Sequence, residues 1–299
     1  MAAAPRIAVV TKNRTNPAYG GALVGARRSA ARHGAVLDYF APKTPDDIDE
    51  QAALLEQVIA GGYDALIVMP AHESALDPTF DKVDAAGIPI LFVVTRPKRR
   101  RGVTFVSSDD RALARATAAH LFDHIGGAGD VVIIDGHPHS TTSPDRHAGF
   151  MAAIADYPGI RLLEAQAGGY QRQPAHDVMR ALLDRHPKID GIVVANDLMA
   201  LGVIDALHET GRRIPLVSIN GTPDAIAAIK AGDMLSSTEF STLGFGVIAG
   251  EAAARHLRDE LVPAEIMLPT RIIDIGNVAT WDKPYEEREA VSWDDVVTS

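Results

Sequence analysis

Apolar residues along this chain arrive in two alternating rhythms. Short unbroken runs, such as Ile7-Ala8-Val9-Val10, Ala65-Leu66-Ile67-Val68-Met69 and Gly191-Ile192-Val193-Val194-Ala195, have the length of strands buried on both faces. Between them, apolar residues recur at three- and four-residue intervals, as at Ile48, Ala52, Leu55 and Ile59, which is the buried stripe of a helix. The pattern predicts strands over 6–10, 35–40, 65–69, 90–94, 103–106, 131–134, 160–165, 191–195, 216–219, 235–240 and 271–275. It predicts helices over 21–33, 76–86, 111–125, 145–155, 174–185, 199–210, 223–231 and 243–261. A further helix opens with Thr44 as N-cap and Pro45 in the first turn, and stops at Gly61-Gly62. Repeated βα units imply parallel sheets with right-handed crossovers. They are too numerous for one flavodoxin-sized sheet, so the fold class is α/β with two sheets, divided near Ser107-Ser108. The acidic tail 277–299 holds both tryptophans and reads as a surface-packed extension.

Open α/β sheets bind ligands beyond the carboxyl ends of their strands, so the loops at those ends matter most. The first, Thr11 to Gly20, offers the Thr11 hydroxyl, the Asn13 and Asn16 amides and the Tyr19 ring. Its glycines come too late for a phosphate cradle. Alone, it reads rather as a solvated turn shaped by Asn and Pro. Later loops share its character: Thr95-Arg96, Asp135-Gly136-His137, the helix start Asp145-Arg146, Gly169-Tyr170, Asn196-Asp197 and Asn220-Gly221-Thr222-Pro223-Asp224. Amides, guanidinium groups and hydroxyls supply fixed donors and acceptors for hydroxyl groups. Tyr19 and Tyr170 offer faces for the C–H surface of a ring or carbon chain.

Composition narrows the function classes. The 299 residues are 46% apolar, enough for two cores. A net charge of −10 opposes nucleic-acid binding. The absence of cysteine removes disulfides, thiolate zinc sites and cysteine nucleophiles. No apolar run approaches the roughly 20 residues of a spanning helix. Met1 to Pro5 lacks the basic and apolar regions of a signal peptide, so the protein is cytoplasmic or its numbering begins after a removed signal. The first strand begins almost at once, leaving no room for a helix-turn-helix domain. His137 and His139 are a weak metal signal, and His120 and His124 lack the glutamate of a zincin motif. Lys98 to Arg101 reads as a solvated loop, and Ser107-Ser108-Asp109-Asp110 as helix caps. With no nucleophile elbow and no paired catalytic carboxylates, neither catalysis, a metal nor a cofactor is expected.

Several of these stretches resemble the sugar-binding proteins of bacterial ABC transporters, of the ribose-binding type. Asn196-Asp197-Leu198-Met199-Ala200-Leu201-Gly202 is the most specific match. Thr11 and Asn16-Pro17-Ala18-Tyr19, Arg96, Arg146-His147-Ala148-Gly149-Phe150 and Gly221-Thr222-Pro223-Asp224 resemble further family motifs, so that the likeness runs from about Arg6 to Gly276. It implies two Rossmann-like lobes joined by a three-segment hinge, with crossings near Ser108-Asp109, Glu239-Ser241 and Pro269-Arg271. The expected lobes are 1–108 with 242–271, and 109–241 with 272–299. The implied ligand residues are Thr11, Asn13, Asn16, Tyr19, Thr95, Arg96, Asp109, Arg146, Tyr170, Asn196, Asn220, Glu239 and Ser241.

The sequence departs from the family at Thr95 and Asn220, where aspartates are usual, and at Ala18, where an aromatic is common. Glu239 and Ser241 are candidates for a substitute acceptor. The implied ligand is a neutral sugar or sugar alcohol rather than ribose, with sugar acids as runner-up. The implied role is capture by lobe closure and delivery to a membrane permease, by a periplasmic monomer whose signal peptide is absent from this numbering. The alternative is the ligand-binding core of a lac-repressor-type regulator without its DNA-binding domain.

Overall fold

The computed structural model describes residues 3–138 and 140–297. The chain divides into two compact units. The first comprises Met1–Ser108, Ser241–Pro269 and Tyr285–Ser299, the second Asp109–Phe240 and Thr270–Pro284.

The first unit opens with β1 (Arg6–Val10), α1 (Pro17–Arg32), β2 (Val36–Phe40), α2 (Ile48–Gly61), β3 (Ala65–Val68), α3 (Asp77–Ala85), β4 (Ile90–Val93) and β5 (Thr104–Ser107). The second runs through α4 (Asp110–His124), β6 (Ala128–Asp135), α5 (Thr142–Asp156), β7 (Gly159–Ala167), α6 (Arg172–Arg185) and β8 (Gly191–Val194). It continues with α7 (Asp197–Thr210), β9 (Leu216–Asn220), α8 (Pro223–Ala231) and β10 (Ser236–Glu239). The chain returns to the first unit for α9 (Thr242–His256) and β11 (Glu265–Met267), then to the second for β12 (Ile272–Asp274) and a 3-10 turn at Val278–Thr280. The short α10 (Trp293–Val296) lies on the first unit.

Each unit is built on one six-stranded sheet. The first has the order β11-β5-β4-β3-β1-β2, parallel throughout. The second has the order β12-β10-β9-β8-β6-β7, with β12 antiparallel to β10 and the other pairs parallel. Strand order reverses between β1 and β3 in the first and between β6 and β8 in the second. Crevices for ligands open at such points. Every residue of β3, β4 and β8 is buried, as their unbroken apolar runs require.

Several boundaries differ from the sequence pattern, each for a local reason. Helix α1 starts at Pro17, not Gly21, because Asn16 accepts from the Ala18 amide and Pro17 suits the first turn. The N-cap of α2 is Asp47, which accepts from the Glu50 amide, while Thr44 turns its hydroxyl onto the Glu50 carboxylate. Helix α9 ends at His256 rather than 261. Leu261 is 95% exposed, so no burial supports continuation, and the chain instead adds β11 to the edge of β5.

The expected lobe limits also shift. Ser241 opens α9 and belongs with the first unit, its carbonyl accepting from the Phe245 amide. Thr270 and Arg271 belong with the second, where the Arg271 carbonyl accepts from the Glu239 amide. The tail from Tyr285 onward was expected on the second lobe and lies on the first. Arg28 of α1 donates to the Tyr285 and Arg288 carbonyls, and the Arg255 guanidinium of α9 stacks 4.7 Å from the Trp293 ring centre. Helix α9 seats directly on α1. A Cβ on Gly246 would lie 1.8 Å from the Ala22 carbonyl oxygen, so only glycine permits this backbone contact.

Candidate functional site

In the first unit, the β1 loop is held by its own polar side chains. Thr11 is fully buried, its Oγ1 donating to the Asn13 carbonyl and lying 2.9 Å from the Tyr39 hydroxyl. Asn13 accepts from the Asn16 amide and donates to the Asp46 carboxylate. Asn16 caps α1, and Tyr19 follows, half-buried, on its first turn. Across the strand-order reversal, buried Gln51 of α2 binds both neighbouring loops. Its Nε2 donates to the Thr11 and Met69 carbonyls, and its Oε1 accepts from the Ala71 amide. Sequence reasoning missed this residue. Its one signal was a polar side chain on the apolar stripe between Ile48 and Leu55.

Beyond β4 the backbone is strained. Val94 has φ 64, and the Thr95 amide bonds back to the Val93 carbonyl at 2.7 Å, closing a three-residue turn disfavoured for a β-branched residue. Thr95 is buried, and its Oγ1 has no hydrogen-bond partner among the described residues. Arg96 takes a different environment. Its side chain is 51% exposed, stacks 3.9 Å above the Phe105 ring and pairs with Glu265 at 2.8 Å. Ser241 has φ 44 and is buried without a side-chain cap bond to α9.

The second unit buries an ion pair near its strand ends. Arg146, 3% exposed on α5, donates through Nε to Asp110 at 2.7 Å and through Nη1 to the Ala195 carbonyl at 2.5 Å. Its guanidinium lies 4.6 Å from the Phe240 ring centre. The adjacent Asp109 is exposed and caps α4, accepting from the Ala112 amide. Asp110, read as a cap in the sequence, is thus the arginine's partner. Tyr170 has φ 60 and its hydroxyl lies 2.9 Å from Thr142 Oγ1. Burial pushes its phenol up to about 12, so it stays protonated at neutral pH. The ring crosses the Gly136 backbone, where a Cβ would fall 2.0 Å from Tyr170 Cζ. Beside it, His147 pairs with Asp135 at 2.9 Å, and burial raises the Asp135 carboxyl above its ordinary range. His139, the second histidine of the weak metal signal, lies outside the described residues.

Asn196 is buried at the end of β8 and caps α7 through Oδ1, which accepts from the Met199 amide. Asn220 ends β9 at φ 142, also buried, in register with Glu239 of β10.

Among the described residues, six non-glycine residues have left-handed φ. Five of these, Asp46, Val94, Tyr170, Asn220 and Ser241, lie at or beyond the carboxyl ends of strands, and Asp259 follows a helix. Such strain persists where surrounding structure over-determines it, and it clusters at functional sites. The strand-end face of each unit is therefore a candidate site. That of the first unit carries buried Thr11, Asn13 and Thr95 with the Tyr19 ring, and that of the second carries buried Asn196 and Asn220, an internally braced Arg146 and the Tyr170 ring.

Comparison with known proteins agrees with this architecture. The chain is 32% identical over 195 residues to a xylitol-binding protein of Mycolicibacterium smegmatis, a match covering 64% of this chain and 56% of that relative. It is 27% identical over 257 residues to a ribose import binding protein of Bacillus subtilis, covering 86% and 83%. Among solved structures, an ABC transporter periplasmic solute-binding protein of Actinobacillus succinogenes with bound D-allose superposes with a TM-score of 0.87 at 27% identity, covering 92% of this chain and 99% of that one. Residues 7–261 match the model of the periplasmic binding protein domain, and with most of its length inside that match this chain belongs to the periplasmic binding protein family.

Proposed function

We propose that this protein is the solute-binding component of an ABC importer, captures a neutral sugar or sugar alcohol, and delivers it to a membrane permease. One observation carries the ligand class. Carboxylates near the carboxyl ends of the strands have partners within the protein: Asp46 with Asn13, Asp110 with Arg146 and Asp135 with His147. Thr95 and Asn220 stand where the resembled family usually carries aspartates, and Thr95 Oγ1 is buried with no hydrogen-bond partner among the described residues. Neutral hydroxyls and amides both donate and accept, which matches a polyol. An unmade hydrogen bond in a buried site favours a ligand group that completes it.

In this reading the ligand-recognising residues are Tyr19 and Thr95 of the first unit and Arg146, Tyr170, Asn196 and Asn220 of the second. The xylitol- and ribose-binding names of relatives support the same class. The protein works in the periplasm as a monomer, without nucleic acid. Among the described residues no helix is long and apolar enough to cross a membrane.

A thermal-shift screen with xylitol, D-ribose, D-allose and myo-inositol, followed by calorimetric titration at low and high salt, tests the proposal. A neutral ligand binds with an affinity that salt barely changes. Binding confined to sugar acids, or a dissociation constant rising steeply with salt, overturns it.

A further inference from the structure

Asp197 is a fully buried carboxylate to which the binding function assigns no task. Four donors converge on it. Ser218 and Ser237 donate through their hydroxyls, the latter at 2.6 Å, and Thr222 donates through its amide at 2.8 Å and its Oγ1 at 3.0 Å. Ser237 Oγ in turn accepts from the Gly221 amide at 3.0 Å. These bonds reach residues 218, 221 and 222, so they bracket Asn220, whose φ of 142 is disfavoured for any side chain. Asp197 is also the first residue of α7, directly after the cap Asn196. Thr222 caps α8. One carboxylate therefore ties together the starts of two helices and the strained turn between β9 and α8.

Stability alone is a weak reason for such a group. Well-packed apolar residues often serve a core as well as a buried charge does, whereas a satisfied polar network specifies geometry. Only an all-acceptor side chain receives four donors; an amide would turn two N–H groups toward them. Burial raises the Asp197 carboxyl above its ordinary value, and the surrounding donors oppose that shift.

We propose that Asp197 is a positioning residue: through Thr222, and through Ser237 and Gly221, it locks Asn220 in its left-handed backbone and so fixes the Asn220 side chain for recognition. The proposal rests on the sugar-binding reading for what Asn220 recognises, but not for the locking itself.

The test therefore has two arms. In the ligand-free protein, amide hydrogen exchange is compared between parent and D197N. Exchange at Gly221 and Thr222 is expected to speed about tenfold or more while β6 amides keep their parent rates. Unchanged exchange at these two amides overturns the proposal. Should D197N not fold, Ser218→Ala, which removes one donor and keeps the carboxylate, is expected to speed the Thr222 amide, with the same criterion. The second arm is a double-mutant cycle of D197N and N220A, with whichever of xylitol, D-ribose, D-allose and myo-inositol binds the parent most tightly. Each single change is expected to weaken binding about tenfold, and the double to fall within about twofold of N220A alone, because Asp197 acts through Asn220. Additive losses of about a hundredfold overturn the positioning role. A parent that binds none of the four counts against sugar binding, and the exchange arm still decides the locking.

Discussion

The strand-end faces of the two units do the same architectural job with different chemistry. In the first unit the loops are tied by neutral hydrogen bonds: Gln51 to Thr11, Met69 and Ala71, Thr11 to Asn13 and Tyr39. In the second they are tied by buried charge: Arg146 to Asp110, and Asp197 to its four donors. Arg96 and Arg146 make the contrast concrete. Both are ligand arginines by family resemblance, yet one side chain is 51% exposed beside a half-exposed glutamate and the other is 3% exposed against a buried aspartate. A charge taken out of water holds its geometry tightly but is costly to leave unpaired, whereas a solvated one contributes little either way.

The largest expected effect breaks the comparison at its strongest point. Asp110→Ala leaves Arg146 buried without its carboxylate, and unfolding in urea is expected to show a loss of about 3–5 kcal/mol. A loss under about 1 kcal/mol would mean that buried charge does not organise the second face. Next, Gln51→Leu strands two carbonyls and one amide in the first unit. An expected loss of about 1–3 kcal/mol, read from the same denaturation curves, places neutral bonds below charged ones.

Arg96→Ala sharpens the contrast between the arginines. Its ion pair is solvated and its stacking on Phe105 is a surface contact, so the expected stability change is below about 1 kcal/mol. A change matching that of Asp110→Ala would erase the distinction. The smallest effect concerns the outer edge of the second sheet. Hydrogen bonds from His186, then Gln166 and Arg185, lower the Glu164 carboxyl from its ordinary 4.5 to about 2. A carboxylate lowered in the folded state adds stability above its unfolded value and loses it as pH falls. Stability contributed by Glu164 should therefore fade between about pH 4.5 and about pH 2. Glu164→Gln should flatten that part of the acid-denaturation curve, and identical curves would show the bonds to be silent.

What the chain announced by itself was whatever is periodic or contiguous. The apolar runs and helical stripes set out the βα alternation because burial of a strand or helix face is written in neighbouring residues. The division near Ser108 and the polar character of the strand-end loops followed from the same reading, and the Asn196 to Gly202 run pointed to the family without any fold. Tertiary structure alone decided how each polar side chain is spent. Asn13 and Asn16 shape their own loop, Asp109 caps a helix, and Asp110 meets an arginine thirty-six positions away. Asp197 collects donors from Ser218, Thr222 and Ser237, and the tail from Tyr285 crosses back to the first unit. Such partners leave no period in the sequence. A hydrogen bond depends on where two atoms arrive after the sheets have formed, and the cost of burying a charge can be judged only once its partner is in place.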